Sequence, residues 1–384
     1  MKKVMIIGGG IIGLTLANYL DKTKFDVTVI DSLIGQATSA SAGIISPWLS
    51  KRRNKKWYQL AQDGAAFFPK LVRDFALDES IYAPCGTLVV RPEKALQELA
   101  ELAENRRKAA PEIGKIDLLT GPQTKEALPL LKEMPSLRIT GGGRLDGQAY
   151  LAHLKANAQQ QQVTFIEEKA EVVRKDNHWQ IKTKDHFLET EILCLTAGPG
   201  LLDLLSPLGY QVDIRPQKGQ LLSFATNLPT NSWPVAMLEG EGDLIPFSNG
   251  QILLGATHEN DAGWDLTPTE AAKQQLMTGI GAFLEDPEAL FATPMTMRVG
   301  TRAYTSDFAP FFGEVPDEAN LFAASGLGSS GLTTGPYIGY LRADRGCCLR
   351  YDGQSGKSHC TGARTRARLQ GRRSRPADGV CSYG

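Results

Sequence analysis

The opening of this chain, MKKVMIIGGGIIGLTLANYLDKTKFDVTVID, constrains its fold more than any other stretch. Val4 to Ile7 form a short apolar strand, and Gly8, Gly10 and Gly13 follow in G-x-G-x-x-G spacing. An apolar helix runs from there to Leu20, and a second strand, DVTVI, ends on Asp31. Strand, glycine turn, helix and strand in this order predict a βαβ unit with a parallel sheet. The first glycine makes the tight turn, the second lets a pyrophosphate approach the backbone, and the third brings helix and strand close. The helix N-terminus favours the phosphate charge. Asp31, roughly 20 residues on, is placed to accept hydrogen bonds from ribose hydroxyls. The unit therefore predicts a bound dinucleotide, and an acid at position 31 disfavours the 2′-phosphate of NADP. NAD and FAD both remain open on this fingerprint.

At 384 residues the chain is long enough for two domains or one large one. Basic and acidic residues balance at 42 each, so net charge gives no pull toward nucleic acid or an anionic membrane. The N-terminus has the outline of a signal peptide, but four glycines interrupt its apolar run and no small-residue cleavage site follows. No later run reaches the roughly 18 apolar residues of a membrane helix. Only Cys85 and Cys194 of the six cysteines precede residue 347, which is no disulfide framework, and the expected compartment is the reducing cytoplasm.

Arg302 poses the functional question. It stands in MRVGTRAYTSDFAPFFG, residues 297–313, among small and aromatic neighbours. A guanidinium in such surroundings needs an anionic partner. Asp307 is one candidate and a ligand carboxylate is the other. Elsewhere, residues 48–142 carry helical spacing, as in KALQELAELAENRRKAA, whereas residues 217–295 carry strand-like runs. Within DLIPFSNGQILLGAT, Asn249-Gly250 between two apolar stretches predicts a hairpin.

Six segments in order resemble the FAD-dependent amine oxidases of the D-amino-acid oxidase family, glycine oxidase among them. They are GGGIIG (8–13), ATSASAGII (37–45), RPQKGQLL (215–222), NGQILLGAT (249–257), GTRAYTSDFAPFFG (300–313) and NLFAASGLGSSGLTTGPYIG (320–339). The resemblance implies an α/β (α+β, two-domain) architecture. A Rossmann-like FAD-binding domain is expected from discontinuous segments 1–47, 143–216 and 296–341. An antiparallel-sheet substrate domain is expected from 48–142 and 217–295.

The same resemblance distributes the site residues. Gly8, Gly10, Ile11, Ile12 and Gly13 would hold the pyrophosphate, with Asp31 and Ser32 at the ribose. Ala37, Thr38, Ala42, Gly43 and Ile44 would follow the pyrophosphate and ribityl chain, with Val172 at the adenine and Gly198 near the nucleotide. Gly326, Leu327, Gly328, Ser329, Ser330, Gly331, Leu332 and Thr333 would present a helix N-terminus to the flavin's pyrimidine side. That placement suits the negative charge of a reduced flavin. Arg302 would bind the substrate carboxylate as a bidentate pair, with Tyr304, Asp243 and His258 around the pocket. Related sarcosine oxidases carry a flavin-linking cysteine near this arginine, so noncovalent FAD is expected here. The implied reaction oxidises the C–N bond of an amino acid or N-alkyl amino acid by hydride transfer to flavin N5, giving an imine that hydrolyses. Oxygen or another acceptor would take the electrons. No general base and no metal are expected.

The chain departs from that pattern in two places. Asp243 stands where glycine oxidase has a pocket tyrosine, and Leu327 and Ser329 replace larger polar or basic residues. From Arg342 onward the composition changes to nine arginines, four cysteines and little apolar periodicity. Residues 342–384 are expected to be a disordered basic tail. Three origins compete for it: binding to an anionic polymer, a metal site at Cys347, Cys348, His359 and Cys360, or an out-of-frame end, which the abrupt change favours. For the whole chain, an NAD-linked dehydrogenase and a tail-driven binding protein are the alternative functions.

Overall fold

The structure is a computed structural model and describes residues 1–51, 54–176, 178–240, 242–344 and 369–371. Two sheets organise it. The first has six strands in the order Phe311–Glu314, Leu321–Ser325, Ile192–Leu195, Lys2–Ile7, Phe25–Ile30, Thr164–Ile166. Its neighbours are parallel except for the antiparallel edge strand Phe311–Glu314. Lys2–Ile7 lies inside this sheet, and its VMII residues are buried on both faces, as a central parallel strand requires.

Gly13 makes the first βαβ unit compact. A Cβ there would fall 1.9 Å from the Gly8 carbonyl oxygen. The third glycine therefore serves packing, and helix Ile11–Tyr19 is buried along nearly its whole length. Helix Gly331–Asp344 crosses it closely: a Cβ on Gly335 would lie 2.5 Å from Ile11, and one on Gly339 would lie 2.9 Å from the Ile12 oxygen. The helix at the end of the described core thus packs against helix Ile11–Tyr19, which follows the glycine turn.

The second sheet has eight strands in the order Met295–Tyr304, Arg215–Ala225, Gln251–Gly255, Asp243–Pro246, Val235–Met237, Thr87–Val90, Ser136–Ile139, Ile116–Leu119. All neighbours are antiparallel except Val235–Met237 with Thr87–Val90. The expected hairpin forms at Asn249-Gly250, both residues having positive φ (62° and 78°). That backbone is what Asn-Gly tolerates best.

Several expectations need correction. Met295–Tyr304, which carries Arg302, pairs along its length with Arg215–Ala225 and belongs to the antiparallel sheet, not to the nucleotide sheet. Besides their helices, residues 48–142 contribute three strands to the same sheet. The last helix continues to Asp344, and the Arg342 guanidinium lies 3.0 Å from the Phe322 ring centroid. Leu369–Gly371 forms a strand beside Tyr210–Val212. The rest of the arginine-rich tail, with its candidate metal residues, lies outside the described residues. Among the described residues, no helix is long and apolar enough to cross a membrane.

Candidate active site

A cavity of about 1160 Å³ runs between the two sheets, from Asp31 at one end to Arg302 and Asp243 at the other. That is large enough for a dinucleotide and a small substrate together.

The nucleotide end is built by glycine and hydroxyl residues. Gly8 has φ +106°, and a Cβ there would lie 2.5 Å from the Thr196 backbone. A Cβ on Gly9 would lie 2.8 Å from the Asp31 carboxylate. Burial pushes Asp31 above the usual carboxylate range, opposed by hydrogen bonds from the Leu33 and Gly9 amides. Thr38 Oγ1 accepts from the Ile11 N–H at 3.2 Å and fixes the 36–41 loop against the helix N-terminus. The helix has no acidic residue in its first turn and no side-chain cap on Gly10. Gly198 has φ +55° with nothing within 4 Å of a built Cβ, so its turn leaves open space on the cavity wall.

The flavin end of the expected site is the Gly326–Gly331 turn. Its shape is set from behind: the Trp57 Nε1–H donates to Ser330 Oγ at 3.1 Å, and Ser330 Oγ–H donates to the Leu327 carbonyl at 2.8 Å. Helix Gly331–Asp344 begins there, without an acid in its first turn.

Arg302 faces Gln217 in register on the adjacent strand. Its Nη1 donates to the Thr257 carbonyl at 2.9 Å and to Gln217 Oε1 at 3.3 Å. The guanidinium lies against Gly219, where a Cβ would fall 2.6 Å from Cζ. Asp307 accepts from Thr305 Oγ1 (3.1 Å) and the Ala309 N–H (3.0 Å), closing its own turn.

Asp243 sits across the sheet in one register row with Gly255 and Met237. Burial pushes its carboxyl up to about 7, and only the Arg91 guanidinium pulls it down. Arg91 also lines the cavity, its Nη1 donating to the Val90 and Met237 carbonyls at 2.6 and 3.0 Å. His258 is exposed on the cavity rim.

Among the residues expected at the site, three are not on the cavity wall. Gly13 packs beneath Gly8. Val172 is buried in the core under the parallel sheet, and Ala170 reaches the cavity instead. The Tyr304 ring turns under Gly328, where a Cβ would lie 2.7 Å from it, and meets Phe308 edge-on at 5.5 Å. The remaining candidates line the cavity together. Arg91, Trp57, Gly219 and Trp264 line it or shape it without having been singled out from the sequence. The signals were an arginine between an apolar strand and Pro92, a glycine inside a strand, and a tryptophan in a polar loop.

With this geometry in view, comparison with known proteins is decisive. The family model described as FAD dependent oxidoreductase (DAO) matches residues 3–345. The chain belongs to that family. A Bacillus subtilis (strain 168) protein described as uncharacterized oxidoreductase YurR is 37% identical over 348 residues, covering 88% of this chain and 93% of its own. Glycine oxidase of Pseudomonas putida is 28% identical over 354 residues, covering 87% of this chain and 92% of its own. Iminodiacetate oxidase (IdaA) from Chelativorans sp. BNC1 superposes with a TM-score of 0.84 at 28% identity, covering 88% and 94% of the two chains. The chain is an FAD-dependent oxidoreductase with the mixed α/β fold of these enzymes, as its motif order implied. FAD, not NAD, is the family's cofactor, which removes the NAD-linked alternative. The side-chain-free turn at Gly8, the open turn at Gly198, the buried acid beside Gly9 and the acid-free helix N-termini fit that cofactor.

Proposed function

We propose that this enzyme oxidises the C–N bond of an amino acid or N-alkyl amino acid whose carboxylate is held by Arg302. The observation that carries the reading is the Arg302 guanidinium, flattened over Gly219 on the cavity wall and braced by Gln217 and Thr257. An arginine pinned on one side keeps its remaining donors in a fixed plane, which suits a planar carboxylate. The glycine oxidase and iminodiacetate oxidase relatives support a carboxylate-bearing amine as the substrate.

The glycine turns and helix N-termini would hold FAD noncovalently, and the bound cofactor would supply the two-electron acceptor for the carbon beside nitrogen. The chain's own residues position the substrate. Arg302 fixes the carboxylate, and the cavity between the two sheets places the substrate beside the cofactor. Asp243, ionised above about pH 7, accepts a hydrogen bond from the substrate's amine side. Arg91 beside it favours that ionised form. The pocket therefore presents a carboxylate where one lined by a phenol would present a hydroxyl.

The test is anaerobic addition of glycine, sarcosine, D-alanine, D-proline and iminodiacetate to the purified yellow enzyme, beside amines lacking a carboxylate. Bleaching by one or more carboxylated amines, and by none of the others, supports the reading. Bleaching by the amines lacking a carboxylate alone overturns it.

A further inference from the structure

Trp264 is 42% exposed and lines the cavity, as the more exposed Leu33 and Ile34 do, but it is the one of the three that comes from the antiparallel sheet. A partly exposed indole on a polar loop forgoes burial that normally stabilises a side chain of this size. Its position is nevertheless tightly defined. A Cβ on Gly35 would lie 3.2 Å from its Cζ3, and one on Gly200 would lie 3.9 Å from its Cη2. Gly35 follows Asp31 at the end of the second strand, and Gly200 closes the turn that begins at Gly198. Trp264, from a loop of the antiparallel sheet, thus reaches two loops of the parallel sheet at the nucleotide end.

The loop is anchored at its base. Lys218 is only 1% exposed and donates through Nζ to Asp265 Oδ2 at 3.2 Å and to the Thr267 carbonyl at 2.7 Å. The Gln220 amide nitrogen donates to Glu259 Oε1 and Thr269 Oγ1 at 2.8 and 2.9 Å. Lys218 and Glu259 exchange backbone hydrogen bonds at 3.1 and 3.0 Å. A buried lysine is costly unless its charge is paired, so both ends of the loop are fixed from beneath the sheet. Between these anchors, the Thr301 hydroxyl donates to the Gly263 carbonyl at 3.5 Å.

We propose that residues 258–267 form a cofactor strap, with the Trp264 ring lying along the ADP half of bound FAD. The ring's exposure then has a purpose, because the cofactor covers its open face. The sheet that shapes the substrate pocket would also retain the cofactor, through an element the nucleotide fingerprint does not contain.

The experiment measures FAD release from diluted, purified holoenzyme, followed by recovery of free-flavin fluorescence. Trp264→Ala should release FAD about tenfold faster, the scale of losing one aromatic stacking partner, and Trp264→Phe should stay near wild type. Lys218→Met, which removes the anchor without touching the cavity, should also speed release. Far-UV circular dichroism confirms that each variant is folded. If Lys218→Met does not fold, the two Trp264 variants decide. The second readout is tryptophan emission: removing FAD should restore a component in wild type that is missing in Trp264→Phe. Release from Trp264→Ala at the wild-type rate, or identical emission changes in wild type and Trp264→Phe, would overturn the strap.

Discussion

The Arg302 guanidinium and the backbone of Gly219 are in direct contact across two paired strands, so closely that a Cβ at 219 would fall 2.6 Å from Cζ, Nη1 and Nη2 alike. The arginine's orientation therefore depends on the absence of a side chain on its neighbour. Gly219→Ala should tilt the guanidinium and raise KM for the carboxylated substrate about tenfold, a loss of about 1.4 kcal/mol. Bound FAD should remain at one per chain. Steady-state kinetics together with the flavin absorbance ratio check both parts.

Asp243 makes opposite demands on stability and activity. Its carboxyl titrates near 7 in the folded chain against an ordinary value of 3.8, so the folded state holds its proton more tightly than the unfolded chain. Its contribution to stability is then fullest below about pH 4 and declines as pH rises through 7. Asp243→Asn should raise the Tm at pH 8, by the equivalent of at least about 1 kcal/mol, and change little at pH 4. In wild type, kcat/KM should fall as pH drops through 7, because the protonated acid no longer accepts from the amine. The asparagine variant should lack that acid limb. Thermal scans and a pH profile on both proteins provide the check.

Asp146 joins the two halves of the molecule. Its Oδ1 accepts from the Gln148 and Ala149 amides at 2.9 Å each and caps helix Gly147–Gln160, while its Oδ2 lies 3.5 Å from Arg298 of the antiparallel sheet. Asp146→Ala removes the cap and leaves a mostly buried arginine without its anion, for a loss of about 2–4 kcal/mol. Asp146→Asn keeps the cap and should lose less. Chemical denaturation of the two variants should rank them in that order.

Gly13 serves packing more than contact with the cofactor. A Cβ at this position would lie 1.9 Å from the Gly8 oxygen and 2.7 Å from Thr196 Oγ1. Gly13→Ala should push the first helix off its strand and yield protein with little flavin, where Gly198→Ala, open on all sides but at positive φ, should keep more. Flavin content per chain after purification measures the difference.

What the sequence made legible was local. The glycine spacing, the acid at the end of the second strand and the Asn-Gly turn each carry their meaning within a few residues; Gly8, Gly10 and Asp31 line the cavity and the Asn-Gly turn closes its hairpin. Arg302 was legible as a cation in apolar surroundings, but Gly219 was not legible as its platform, because only strand register brings Gln217 and Arg302 opposite each other. Register also explains the misassigned strand Met295–Tyr304, whose apolar-polar pattern says nothing about which sheet it joins. Arg91 and Asp243 meet only because Val235–Met237 lies between their strands. Val172 and Tyr304 were one or two positions from cavity-lining neighbours, a distance at which strand twist and side-chain direction decide. Trp264 gave no periodic signal at all, since its position is set by a lysine fixed from the opposite face of the sheet.

The most direct measurement is the anaerobic half-reaction of wild type and Arg302→Ala side by side, titrated with the carboxylated amine that bleaches wild type best. The account predicts equal flavin content in the two proteins and a roughly 100-fold higher half-saturating concentration in the variant, the cost of about 2.7 kcal/mol of charge-assisted pairing. Equal concentrations for the two proteins would show that Arg302 does not hold the substrate, and would contradict the central claim.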